Sequence, residues 1–273
     1  MESKFDYSRF IELIESGQIE PAFDYRATFT PDYLYKFYSL VDNPHDDKNR
    51  KRLKSLENNF IWFAIPELQN DPYEFEGIYW DKQELIKAGI PKQSVDFAQE
   101  LFFQKIALAA FTSNASNNLP MWAHYSNNHQ GYCVKYKVIQ KRAFRNIIYT
   151  NCRKSVTKTF LSFLQQGFRG ITTGDKQKLI QAKMDSAILQ DKFFCKHSSW
   201  EYENEFRALY PFNGCGSGLN VPLCQLGLVV EEIYCGINCS KENKKELSRI
   251  ASVLKVPCKE CSKSHTEFTV FHE

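Results

Sequence analysis

The spacing of hydrophobic positions changes repeatedly along the chain, and each change marks an element. From Ser3 to Ser16, Phe10, Leu13 and Ile14 recur at helical intervals before Gly17, which predicts a short amphipathic helix with a glycine stop. Tyr33 to Leu40 is an aromatic strand, followed by a polar helix through Lys48 to Leu56. Phe60 to Ile65 is apolar at every position and predicts a strand buried on both faces, ended by Pro66. Asn70 to Gly77 has turn chemistry, because Asn70 and Asp71 can bond their own backbone and Pro72 restricts the entry angle. Helical patterns then cover Asp81 to Ala88 and Lys92 to Gln104, before a strand at Ile106 to Phe111. Pro120 opens a short helix that carries His124 and Tyr125 and ends near Gly131. A strand returns at Tyr132 to Tyr136, with Asn146 to Tyr149 as its neighbour.

Between Val156 and Phe194 two helical segments, separated by Gly167 to Gly174, interrupt this strand-rich region. The closing stretch alternates a strand at Leu226 to Cys235, a helix at Lys241 to Val253, and strands around Val256 and at Glu267 to Phe271. Strands and helices are intermixed without regular crossovers. The predicted class is therefore α+β: one domain over residues 1–273, a mixed and mostly antiparallel central sheet with flanking helices, and a helical insert at 153–195.

Trp200 to Tyr210 divides its chemistry by parity. Read as a strand, Trp200, Tyr202, Phe206, Ala208 and Tyr210 point one way, and Glu201, Glu203, Glu205 and Arg207 the other. Carboxylates at two-residue spacing lie about 7 Å apart and repel, so a positive group is expected to face them. The crowding also predicts that neutralising Glu203 or Glu205 leaves stability unchanged or slightly higher, whereas Trp122 and Trp200 are expected to be structural anchors.

Charge and cysteine usage narrow the classes. The 35 basic and 32 acidic residues nearly cancel and are scattered, so no broad polyanion-binding face is implied. The N-terminus has no apolar leader and no run of about 18 apolar residues occurs, which predicts a soluble, cytoplasmic protein with no membrane partner. Nine cysteines, an odd number, read as reduced thiols. Cys235, Cys239, Cys258 and Cys261, with His265 nearby, approximate a four-ligand zinc spacing. Cys235 ends a strand at Gly236, however, and Lys259-Glu260 makes a poor knuckle turn, so these are read as core or surface cysteines and no metal is assigned.

Three groups of residues stand in a distinctive order: Leu34 to Leu40 followed by Asn70-Asp71-Pro72-Tyr73-Glu74; Met121-Trp122-Ala123-His124-Tyr125 through Gly131-Tyr132-Cys133; and Lys196 with Trp200, Tyr202, Glu203, Glu205 and Arg207. In this order, and with Glu232 to Gly236 before the last long helix, the chain resembles the bacterial family called domain of unknown function 2971. Tyr38 stands where that family commonly carries Arg, which removes a cation from that strand position. The resemblance implies a defence- or toxin-associated context. By analogy with ADP-ribosyltransferases, it also suggests an NAD site built from a strand glutamate, an aromatic platform and an early basic or hydroxyl group. Glu203, Glu205, His124 and Tyr125 are the candidate catalytic residues, and Tyr35, Lys36, Asn70, Asp71, Lys196 and Arg207 the candidate ligand-binding ones. NAD is the expected small-molecule nucleotide, with a protein or nucleic-acid acceptor. Two alternatives stand beside it. Asp71, Glu74, Glu203 and Glu205 would gather magnesium in a phosphodiesterase or nuclease. His124, Tyr125, Lys196 and Arg207 would recognise a small anion or a phage protein in a non-catalytic sensor.

Overall fold

A computed structural model describes residues 5–43, 46–96, 106–114, 118–266 and 270–272. In chain order the elements are α1 (Tyr7–Glu15), α2 (Ile19–Ala27), β1 (Tyr33–Tyr38), α3 (Asp47–Glu57), β2 (Phe60–Ala64), β3 (Ile78–Tyr79), α4 (Lys82–Lys87) and β4 (Ile106–Thr112). They continue with α5 (Leu119–Tyr125), β5 (Tyr132–Val138), β6 (Arg145–Asn146), β7 (Ile148–Thr150), β8 (Lys154–Ser155), α6 (Thr157–Thr173), α7 (Lys176–Leu189), β9 (Cys195–His197) and β10 (Glu205–Pro211). The last are β11 (Gly218–Pro222), β12 (Leu228–Cys235), α8 (Lys241–Leu254), β13 (Cys258–Lys263) and β14 (Val270–His272). The helix expected at Lys92 to Gln104 is present at 92–96 and otherwise lies outside the described residues.

The main sheet runs β11-β2-β4-β1-β5-β12-β13-β14, with β10 along the other edge of β4 and β6 beyond it. Its pairs are antiparallel except β12 with β13, so the mixed, mostly antiparallel α+β class holds. One local feature shapes everything that follows. β10 pairs with the whole of β4, from Glu205↔Thr112 to Pro211↔Ile106. The opposite edge of β4 is shared: β1 meets it only at Tyr35↔Thr112, and β2 only at Ala64↔Leu108. The two strands diverge, and a cleft opens between them.

That divergence corrects the expectation for β2. Its burial alternates, with Ile61 and Phe63 buried but Phe60 and Trp62 37% and 40% exposed. An all-apolar run indicates two covered faces only when a layer lies on each. Here one face of β2 lines the cleft.

The helices are held by local chemistry. Asp6, Asp46, Asp81, Asp175 and Ser240 each accept backbone N–H bonds at a helix start, satisfying donors that have no partner within the helix. Leu53 and Leu56 of α3 join Leu247 and Ile250 of α8 against one face of the sheet, with Leu34, Val134 and Ile233. Trp122 of α5 covers the other face with Phe37, Cys133 and Tyr234. Gly131 permits this layering, because a Cβ there would lie 1.9 Å from the carbonyl oxygen of Tyr38.

The helices α6 and α7 form a hairpin. The expected break from Gly167 to Gly174 is confined to Gly174, and α6 continues through Gly167 and Gly170. Gly170 is a packing position rather than a breaker, since a Cβ there would meet Leu179 Cδ2 of α7 at 2.7 Å. At the base of the hairpin, Asp191 forms a buried ion pair with Arg26 of α2 at 3.0 Å and accepts from the Tyr7 hydroxyl at 2.6 Å. The chain re-enters the body as β9, beside β7. No helix among the described residues is long and apolar enough to cross a membrane.

Candidate functional site

The parity expected between Trp200 and Tyr210 breaks at Asn204. Ser198–Glu203 winds as a 3-10 helix, Asn204 takes left-handed backbone at φ 42°, and the strand begins only at Glu205. Glu201 remains exposed, while Glu203 and Glu205 are buried. Both carboxylates converge on Lys196 of β9, whose Nζ lies 2.6 Å from Glu203 Oε2 and 2.8 Å from Glu205 Oε2. The positive group demanded by the crowded acids is this ammonium, delivered by the end of the hairpin. It stands between the carboxylates, where the phosphodiesterase alternative would need a metal ion. Trp200 is only half-buried, with its ring centroid 5.0 Å from Lys196 Nζ. It covers the ammonium instead of anchoring the core, a role that falls to the fully buried Trp122.

Arg207 lies deeper. Its Nε donates to Glu205 Oε1 at 2.6 Å; Nη1 donates to Glu74 Oε1 at 2.6 Å and Phe193 O at 2.7 Å; Nη2 donates to Glu74 Oε2 at 2.9 Å and, more weakly, to Glu205 Oε2 at 3.4 Å. A guanidinium has five N–H donors, and all five are directed at protein acceptors. Arg207 is thus turned toward Glu205, Glu74 and Phe193 and is not among the residues that line the cleft. Glu74 is the partner that sequence reasoning missed in this role. It reaches inward next to buried Phe75, which adopts φ 62°, a conformation rare for an aromatic residue. Asp71 is likewise turned into its own loop, with Oδ1 accepting from the Tyr73 N–H at 2.9 Å, and it does not line the cleft.

The remaining candidates meet in one place. A cleft of about 1130 Å³ is lined by Tyr35, Lys36, Asn70, His124, Tyr125, Lys196, Glu203 and Glu205. Its floor is the divergence of β1 and β2 over β4, where Lys36 Nζ donates to the Ala110 carbonyl of β4 at 2.8 Å. Tyr125 donates its hydroxyl proton to Glu203 and accepts from Asn70 Nδ2 at 2.7 Å, so the second and third sequence groups are joined through Glu203. His124, one residue earlier on α5, is exposed at the rim, its ring 6.3 Å from that of Tyr202.

The two carboxylates differ electrostatically. Burial alone would raise the Glu205 pKa, but Arg207 and Lys196 outweigh it and hold the carboxyl down at about 2. Glu205 is a fixed anion. Glu203 goes the other way: burial raises its pKa, the Lys196 charge offsets this only in part, and repulsion from Glu205 adds to the rise. Of the two carboxylates that line the cleft, Glu203 is the one poised to exchange a proton. Burial would lower the Lys196 pKa, yet the Glu205 and Glu203 charges leave it raised, so the ammonium stays charged. Lys36 forms no ion pair among the described residues, and burial pushes it down to about 8 against the opposing effect of the Glu205 charge.

Two further contributors were not anticipated. Lys48, Lys51, Arg52 and Ser55 of α3, at i, i+3, i+4 and i+7, all line the cleft and give it a basic wall. Overall charge is scattered, but Lys48 to Lys54 concentrates five cations in seven residues, a local signal that averaging conceals. The exposed rings of Phe60 and Trp62 line the same cleft.

The cysteine set does not converge. Cys235 and Cys258 approach to 3.7 Å between sulfurs, and Cys239 belongs to the same core cluster. Cys261 packs instead beside Phe37 and Trp122 on the other face of the sheet. A three-residue offset along β13 sends Cys258 and Cys261 to opposite faces. No group of three or more His, Cys, Asp or Glu side chains suited to a metal ion occurs among the described residues.

No curated protein and no solved structure matches the chain. The segment matched by a family model runs from α5 through the hairpin into β10; it includes His124, Tyr125, Lys196, Glu203, Glu205 and Arg207, and leaves β1, α3 and β2 outside. Over residues 121–208 the chain resembles the family described as protein of unknown function (DUF2971).

Proposed function

We propose that the cleft binds a nicotinamide dinucleotide and that Glu203 assists cleavage of its nicotinamide–ribose bond, transferring ADP-ribose to water or to a protein or nucleic-acid acceptor. One observation carries the proposal: Glu203 is a buried carboxylate of raised pKa, held by Lys196 and Tyr125, in a cleft that is also lined by the basic residues of α3. As the C1′–N bond lengthens, its electron pair leaves with nicotinamide and positive charge develops on the ribose. A fixed carboxylate near the sugar then interacts more strongly with the transition state than with the ground state. Water or the acceptor group forms the new bond to C1′ and passes its proton to Glu203. Lys196 keeps Glu203 ionised and oriented before the step, and Tyr125 fixes the other oxygen. Glu205, Arg207 and Glu74 hold Lys196 in place from below. Depletion of NAD or modification of a partner by such an enzyme would suit the toxin- or defence-associated context that the family resemblance implies.

Purified protein incubated with NAD, with and without cell extract, is expected to release nicotinamide, detectable by chromatography. Glu203→Gln should lower the rate about 100-fold, corresponding to about 3 kcal/mol of barrier. An intact nicotinamide bond at high protein concentration in both conditions would sink the enzymatic proposal.

A further inference from the structure

We infer that the basic wall and aromatic lip form a nucleoside-diphosphate subsite: Lys48, Lys51 and Arg52 of α3 take the phosphates, and Trp62 of β2 stacks the base. The inference rests on reading the cleft as a nucleotide site and adds to it an orientation, with the scissile end at Glu203 and the diphosphate end at α3.

Three features support it. The α3 cations occupy one helical stripe on the cleft; Asp47 forms its ion pair with Arg50 and acts on Lys51 only as a lesser charge. Arg52 donates one N–H, through Nη1, to the Ser39 carbonyl at 2.9 Å, which fixes its direction and leaves further donors for an anion. Trp62 is 40% exposed, on a strand whose other face is core. A large ring left in contact with water inside a concave site provides a planar apolar surface for a base. The carboxylate end of the cleft would repel phosphates, so the charge distribution sets a single direction for the ligand.

The test is titration of ADP, AMP and adenosine into the full chain at low salt, followed by tryptophan fluorescence and calorimetry. ADP is expected to bind at least tenfold more tightly than adenosine. The double variant K48E/K51E, at two exposed positions, should weaken ADP at least tenfold while leaving adenosine within twofold. Trp62→Leu should abolish the fluorescence change and weaken all three ligands, and Glu203→Gln should leave ADP affinity within twofold. ADP binding no tighter than adenosine, or indifferent to charge reversal on α3, would overturn the inference. So would a single-stranded oligonucleotide that displaces ADP with an affinity growing with its length, which would make the wall a nucleic-acid groove. Nicotinamide release separates the two proposals. ADP binding with NAD left intact removes the cleavage proposal alone, whereas NAD cleavage with a KM unchanged in K48E/K51E removes the diphosphate subsite alone.

Discussion

Lys196, Glu203, Glu205, Arg207 and Glu74 form one buried chain of alternating charge, and each member's role follows from how many of its bonds the protein satisfies. Glu205 contacts two cations, and neutralising it leaves Lys196 with Glu203 and Arg207 with Glu74 as their remaining carboxylates. The relief of repulsion with Glu203 is outweighed by the loss of these two charged contacts, and we predict that Glu205→Gln lowers unfolding free energy by about 3 kcal/mol at neutral pH. The pH dependence has a definite sign. With a folded pKa of about 2 against an ordinary 4.5, the Glu205 contribution is fully present above about pH 4.5 and is lost as the pH falls through about 2. Urea unfolding of both proteins should show their difference shrinking between pH 5 and pH 3, and a difference constant over that range would contradict the assignment. Glu203 has a raised pKa, so its ionised form already works against burial, and Glu203→Gln should change stability far less than Glu205→Gln.

At the scale of elements, the hairpin α6–α7 shows how one residue type does two jobs. Gly167 and Gly170 both lie within α6, but a Cβ at Gly167 would find only Ala182 Cβ at 3.8 Å, whereas at Gly170 it would press into Leu179. Gly167→Ala should stabilise the protein by up to about 1 kcal/mol, through reduced backbone entropy of the unfolded chain. Gly170→Ala should destabilise it by about 1 to 3 kcal/mol through overpacking. Thermal melts of the two variants are expected to move in opposite directions, and equal shifts would refute the packing account. Such positions were not separable beforehand, because a glycine at a close helix crossing and one at a break look alike until the neighbouring helix is placed. β2 shows the same limitation in a strand: its composition identified the element correctly, but which face was covered depended on where β1 and β4 ran.

For the whole molecule, the hairpin does more than add bulk: it returns the chain at β9 so that Lys196 arrives under the cleft. The joint at its base is the buried Arg26–Asp191 pair, with Arg26 enclosed by Phe5, Phe10 and Phe194 at 5.0 to 5.3 Å. Asp191→Ala would leave the guanidinium without a counter-ion in an aromatic cage, held by its bonds to Asn146, and a loss of about 3 kcal/mol is expected in urea unfolding. A loss below about 1 kcal/mol would mean that the hairpin is not anchored through this pair.

Local periodicity and turn chemistry were sufficient to identify the α+β class, most strands, the hairpin, and a demand for positive charge opposite Glu203 and Glu205. These follow from side-chain spacing and near-neighbour repulsion, which depend on residues close in the chain. Which cation answers that demand, that Arg207 is enclosed while Glu203 borders the cleft, and that α3 and Trp62 share that cleft are properties of segments far apart in sequence. They were decided only when β1 and β2 separated over β4, because burial and electrostatic pairing depend on what the completed fold places against each side chain.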